Sequence, residues 1–187
     1  FMSMWNFYRN FGDVFFEQPD DPAIAPLPRP PEDLHAFWDL WISRGSFAWE
    51  QDGYPFWSCF HHIQTWWDQR NRPNVLFVHF NDLLENLDAE IQNVIAFLGI
   101  SCLEETRRAI CELVTFKSMR RDAIKLSDGP DDDLKGGART FFNKGTNGRR
   151  RGVLSDTELD RYEATAKAVL SPECKAWMED GKAAVRP

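Results

Sequence analysis

The stretch FFNKGTNGRRRG, residues 141–152, holds four cations, Lys144, Arg149, Arg150 and Arg151, with three glycines and no acid. Those residue types together suit an anion. Glycine lets backbone N–H groups approach a phosphate or sulfate closely, and lysine and arginine add charge and a planar fork of donors. Asn143 and Thr146 add neutral donors. On composition alone two readings stand: a phosphate or sulfate site, and a solvated basic loop ahead of a helix. The order GxxxxGK[ST] is absent, so the stretch is not a Walker A loop, and it carries no dinucleotide fingerprint.

Other candidate chemistry is sparser. His61 and His62 lie in an aromatic helix, His79 in an apolar run and His35 on a solvent-leaning helix. Each fits a core or boundary histidine better than a catalytic base. Cys59, Cys102, Cys111 and Cys174 show no CxxC spacing. That speaks against a disulfide framework or a zinc site and fits a reducing, cytoplasmic setting; no metal is expected. Asp131–Asp133 read as a solvated loop face.

The elements that must position these groups are mostly helical. Residues 1–11 carry Met4, Trp5, Phe7, Tyr8 and Phe11, a broad aromatic helix face. Phe1 begins inside that pattern, so sequence N-terminal to it is expected. Residues 18–31 hold six prolines in fourteen positions and read as an extended connector. Leu34, Phe37, Trp38 and Trp41 repeat at helical spacing within 32–44, and 55–70 reads as a second aromatic helix. NVLFVHF, 74–80, reads as a buried strand of a parallel sheet. Ile91, Val94, Ile95 and Leu98 form a helix face stopped by Gly99. Ser101–Glu104 and Ser155–Glu158 read as capping boxes, and Ser171-Pro172 as a further helix start. Residues 121–140 lack an apolar period and are expected to form a flexible loop.

The chain has 187 residues, 43% of them hydrophobic, with a formal net charge of -7. That length fits a single domain, 1–187. The acidic balance disfavours non-specific nucleic-acid binding. No run is long and apolar enough to span a membrane, and no signal peptide is visible. Nothing in the sequence fixes the oligomeric state.

NKGTNGRRR, residues 143–151, resembles the C-terminal motif RKGxxGDWK of sulfotransferases that use PAPS (3′-phosphoadenylyl sulfate). The likeness continues through the chain in family order. Residues 73–100 resemble the family's strand, "YEDL", helix and "FLG" segment. VTFKSM, 114–119, is similar to its "TSFKEM" element. Trp66-Trp67 stands at the family's usual distance before the strand. Residues 1–11 resemble the helix after "RxPxDVxxS", with Ser3 in the serine position.

The resemblance implies an α/β, P-loop NTPase-like three-layer fold. This chain would be its C-terminal portion, mostly helical with few parallel strands. It also implies PAPS as donor, PAP as product, and a site at which Ser3, Lys144 and Gly145 meet the 3′-phosphate. Phe80 would face the adenine from a position where the family has tyrosine. Val114, Thr115 and Phe116 occupy the "TSF" positions, with Phe116 stacked on the purine. Asn143 replaces the family's arginine, and Arg149, Arg150 and Arg151 replace "DWK", which points to phosphate charge supplied from another direction. The phosphosulfate loop, the catalytic histidine and the phosphate-binding arginine are expected N-terminal to Phe1. The implied activity is transfer of a sulfuryl group to a hydroxyl or amine of a small-molecule acceptor. The alternatives are a degenerate, non-catalytic member of the fold and, more weakly, a kinase.

Overall fold

The structure, a computed structural model, describes the chain except positions 18, 20, 22, 127–132, 149–151, 186 and 187. Among the described residues the α-helices are α1 (Met2–Tyr8), α2 (Leu34–Trp41), α3 (Cys59–Trp67), α4 (Phe80–Glu85) and α5 (Leu87–Leu98). They continue with α6 (Glu104–Leu113), α7 (Phe116–Leu126), α8 (Gly137–Phe141), α9 (Asp156–Val169) and α10 (Pro172–Asp180). The residues fall into two compact units, Phe1–Ser58 with Met119–Tyr162, and Cys59–Ser118 with Glu163–Pro187.

The first unit is built on aromatics. Tyr8, Phe37, Trp38 and Ile42 are almost wholly buried. Trp38 stacks on Trp41 at 5.5 Å, and Tyr8 lies 6.3 Å from Phe37. This is the face that the i, i+3, i+4 spacing of α2 places on one side, and Asp33 caps the helix by accepting from the Ala36 amide. The proline-rich connector carries no helix or ladder in its described part. It is tied to α1 instead, because the Tyr8 hydroxyl donates to the Pro28 carbonyl and Trp5 Nε1 to that of Pro31. Burial, and then the neighbouring Tyr54, push the Tyr8 hydroxyl well above the usual phenol range. Glu50 and Asp52, acids in a loop, are buried all the same. Glu50 accepts from the amides of Phe47 and Ser58, and Asp52 from the Ser58 hydroxyl at 2.5 Å.

The second unit centres on Phe60, Trp67, Leu170 and Cys174. Trp177 meets Trp67 at 5.4 Å and Phe77 at 4.9 Å. Burial pushes the Cys174 thiol up to about 11, which makes it a packing group and not a nucleophile.

Three expectations change. Residues 74–79 form no ladder, and Phe80 opens a helix rather than closing a strand. A strand needs a neighbour, and the single bridge among the described residues, antiparallel Phe11–Leu134, lies elsewhere. The run keeps its apolar character through Phe77 against Trp67 and Trp177, while Leu76 is exposed. Of the segment read as a loop, 121–126 belongs to α7 and 137–140 to α8, with 127–132 outside the described residues. The helical period of α7 begins upstream with Phe116 and Met119, so a window opened at 121 loses it. Ser101 does not cap a helix. α6 starts at Glu104 without a side-chain cap, and Glu104 and Glu105 supply the negative charge that suits a first turn.

The second capping box forms as read. Ser155 and Glu158 exchange amide bonds, and Glu158 also accepts from His35 Nδ1 at 2.7 Å. That bond and the Glu158 charge raise the His35 pKa. His35, then the Ser155 amide, lower the Glu158 carboxyl to about 2. The imidazole contribution to stability is complete below its ordinary 6.5 and is lost as pH rises through the raised folded value. The carboxylate contribution is complete above its ordinary 4.5 and is lost as pH falls through about 2. An NMR titration of the His35 ring is expected to give a midpoint above 6.5 that falls back toward 6.5 in Glu158→Gln. An unchanged midpoint would mean that the pair does not form in solution.

Candidate functional site

In the first unit, the residues just after α1 hold the segment that leads into α8, ahead of the basic loop, through backbone. The Gly12 amide donates to the Asp133 carbonyl at 2.9 Å and the Lys135 amide to that of Asn10 at 2.7 Å. Lys135 also pairs with Asp13. α8 follows at once, and its Phe141 ring meets Phe7 of α1 at 6.0 Å. The chain then leaves α8 as Asn143, Lys144 and Gly145. Lys144 is exposed and has no carboxylate partner among the described residues. Gly145 and Gly148 have positive φ, 63° and 75°, which turns the loop in a way that side chains resist. Among the described residues the amides of Lys144 and Gly145 have no hydrogen-bond partner. A cation without a counter-ion beside unengaged amides is chemistry suited to an oxyanion. Ser3 lies on the exposed side of α1 in the same unit. Arg149, Arg150 and Arg151 lie outside the described residues.

In the second unit, Phe80 is the first residue of α4 and is 46% exposed, with no aromatic partner among the described residues. Val114 and Thr115 form the turn between α6 and α7, and Phe116 opens α7; all three are half-buried. The Thr115 hydroxyl accepts from the Ser118 amide at 3.2 Å, which holds the turn. An exposed aromatic ring such as that of Phe80 suits a purine. Of the predicted residues that are described, Ser3 and Asn143–Gly145 belong to the first unit and Phe80 and Val114–Phe116 to the second.

The histidines divide. His61 and His62 are exposed on α3. His62 borders a cavity of about 390 Å³ with Trp66, Leu76, Phe77 and Trp177. His35 is taken by Glu158, and His79 is buried. His79 donates from Nε2 to the Met178 carbonyl at 3.1 Å, since a carbonyl can only accept. Its Nδ1 therefore accepts from the Asn81 amide, also at 3.1 Å. Sequence reading missed this cluster, because its partners stand about a hundred residues apart. The one legible signal was a histidine and an aspartate beside an aromatic residue at the end of an apolar run. No helix of the structure is long and apolar enough to cross a membrane among the described residues.

A family model described as the sulfotransferase domain matches residues 1–178. Sulfotransferase 1A1 of Rattus norvegicus is 29% identical over 108 residues, covering 57% of this chain and 37% of that protein. Cytosolic sulfotransferase 12 of Arabidopsis thaliana is 30% identical over 166 residues, covering 86% of this chain and 44% of that one. Among solved structures, mouse sulfotransferase SULT7A1 complexed with PAP matches with a TM-score of 0.65 at 20% identity. The match covers 93% of this chain and 56% of that one and shows the fold. The fold class expected from the motifs is borne out. This chain spans 37% and 44% of the length of the two curated relatives.

Proposed function

We propose, from the premise that this chain belongs to the sulfotransferase domain family, that it supplies nucleotide-binding residues to a PAPS-dependent enzyme. The reaction would move a sulfuryl group in line from PAPS to a hydroxyl or amine of a small-molecule acceptor, releasing PAP. The observation that carries the reading is the loop Asn143–Gly145, where among the described residues Lys144 has no carboxylate partner and the amides of Lys144 and Gly145 have no hydrogen-bond partner, at the family's phosphate motif. Lys144 and the Gly145 amide would hold the 3′-phosphate, with Ser3 as a further donor. Phe80 and Phe116 would take the purine faces, with Val114 and Thr115 shaping that edge. Bound this way, the nucleotide is oriented for transfer, and orientation is a large share of what such a reaction needs. The neighbour's PAP complex supports the donor class. Incubation of the full-length enzyme with radiolabelled PAPS and a panel of phenols, alcohols and amines tests the reading. It is supported by label transferred to one acceptor class and lost in Lys144→Ala, and refuted by transfer that ignores Lys144.

Asn143 stands where a bidentate phosphate partner is missing. Arg149, Arg150 and Arg151 are expected to compensate, so alanine at all three should weaken PAP binding in the native sequence and much less in Asn143→Arg. A double-mutant cycle on PAP affinity measures that coupling. Additive effects would make the three arginines surface charge.

A further inference from the structure

Three close sequence neighbours of Phe80, namely His79, Asn81 and Asp82, are bonded to one distant segment, residues 178–182. His79 donates to the Met178 carbonyl, and its ring meets Trp177 at 5.1 Å. Asn81 Nδ2 reaches the Glu179 carbonyl at 3.5 Å. Buried Asp82 accepts from the Lys182 amide through both carboxylate oxygens, at 3.2 Å each. The turn that brings Lys182 there is at Gly181, with φ 82° and ψ −158°. A side chain at Gly181 would place its Cβ 2.7 Å from Asp82 Oδ1 and 2.9 Å from His79 Nδ1, so the two segments touch at van der Waals closeness. Phe80 alone, between these anchored residues, turns its ring to solvent.

We infer that the segment Met178–Lys182 is a positioning clasp: through His79, Asn81 and Asp82 it fixes the direction in which Phe80 presents its ring to the purine. The inference rests on the proposed nucleotide reading and adds to it residues that touch no nucleotide. Its physical basis is that α4 is short, with six residues. Such a helix has little stability of its own, so its first residue is oriented by outside contacts. Three anchors from one segment provide them. Asp82 and Gly181 are then positioning residues, acting through Phe80.

The test is a PAP titration by calorimetry on the 187-residue chain, with thermal melts and near-UV CD to establish that each variant is folded. Asp82→Ala is expected to weaken PAP binding about tenfold, because Phe80 is no longer pre-organised for the purine. Asp82→Asn, which keeps an acceptor for the Lys182 amide, should recover most of it. In a Phe80→Ala background the Asp82→Ala change should have no further effect. Gly181→Ala gives the same reading should Asp82→Ala fail to fold. Equal losses in both backgrounds, or unchanged PAP affinity in folded Asp82→Ala, would overturn the clasp. Unchanged affinity in Phe80→Ala would overturn it too. The nucleotide reading would survive that last result if Lys144→Ala still weakens PAP, and would fall if it does not.

Discussion

Lys182→Met is expected to destabilise the chain by about 3 kcal/mol, the lower end of what removing one partner from a buried ion pair does. Glu90 is only 5% exposed, and the Lys182 ammonium sits 2.6 Å from both of its carboxylate oxygens. Asn93 adds one long bond at 3.3 Å. With the ammonium gone, the carboxylate keeps its burial and loses its counter-charge. The lysine side chain is about a third exposed, so water relieves part of the loss, and the lower end of the range applies. A loss of this size is a large part of a typical stability margin. Urea unfolding followed by CD should show a lower midpoint at an unchanged slope. Glu90→Met combined with Lys182→Met should recover most of the stability, because two apolar side chains leave no buried charge behind. A single variant within about 0.5 kcal/mol of the native chain would mean that Glu90 is solvated.

That pair also marks the limit of what the residues reveal before folding. Features that rest on three or four neighbouring positions were legible. Gly99 stops α5 in the left-handed conformation, Ser155 and Glu158 close a capping box, and Ser171 caps α10 ahead of its proline. Features that depend on distant partners were not. Lys182 and Glu90 stand 92 residues apart, and nothing near either one announces the other. Glu50 and Asp52 look like solvated loop acids, yet the amides and hydroxyl they serve lie inside the fold. The run 74–79 shows the opposite failure: its side chains have strand character, but a ladder is made by a neighbour, which side-chain types alone do not supply. For the candidate site, motif order is what proposes Lys144, Phe80 and Phe116 as nucleotide contacts. The clasp behind Phe80 came only from the folded backbone, where Gly181 brings a late turn against His79 and Asp82.

The central claim is that Lys144 and its loop recognise a 3′-phosphate. The most direct measurement compares PAP with 5′-AMP, which lacks that phosphate, by calorimetry on the native chain and on Lys144→Ala. Lys144 is exposed and has no carboxylate partner among the described residues, so a phosphate contact displaces no ion pair with any of them. A charge-assisted hydrogen bond is worth about 1.5–3 kcal/mol, or roughly tenfold to a hundredfold in Kd. The native chain is expected to prefer PAP over 5′-AMP by about that factor, and the preference should fall with rising salt. Lys144→Ala is expected to bind PAP more weakly by the same factor and to leave 5′-AMP unchanged, so that the preference narrows to what the Gly145 amide and the other phosphate donors supply. A native chain that binds PAP and 5′-AMP alike, or a Lys144→Ala chain that keeps the full preference, would contradict the assignment.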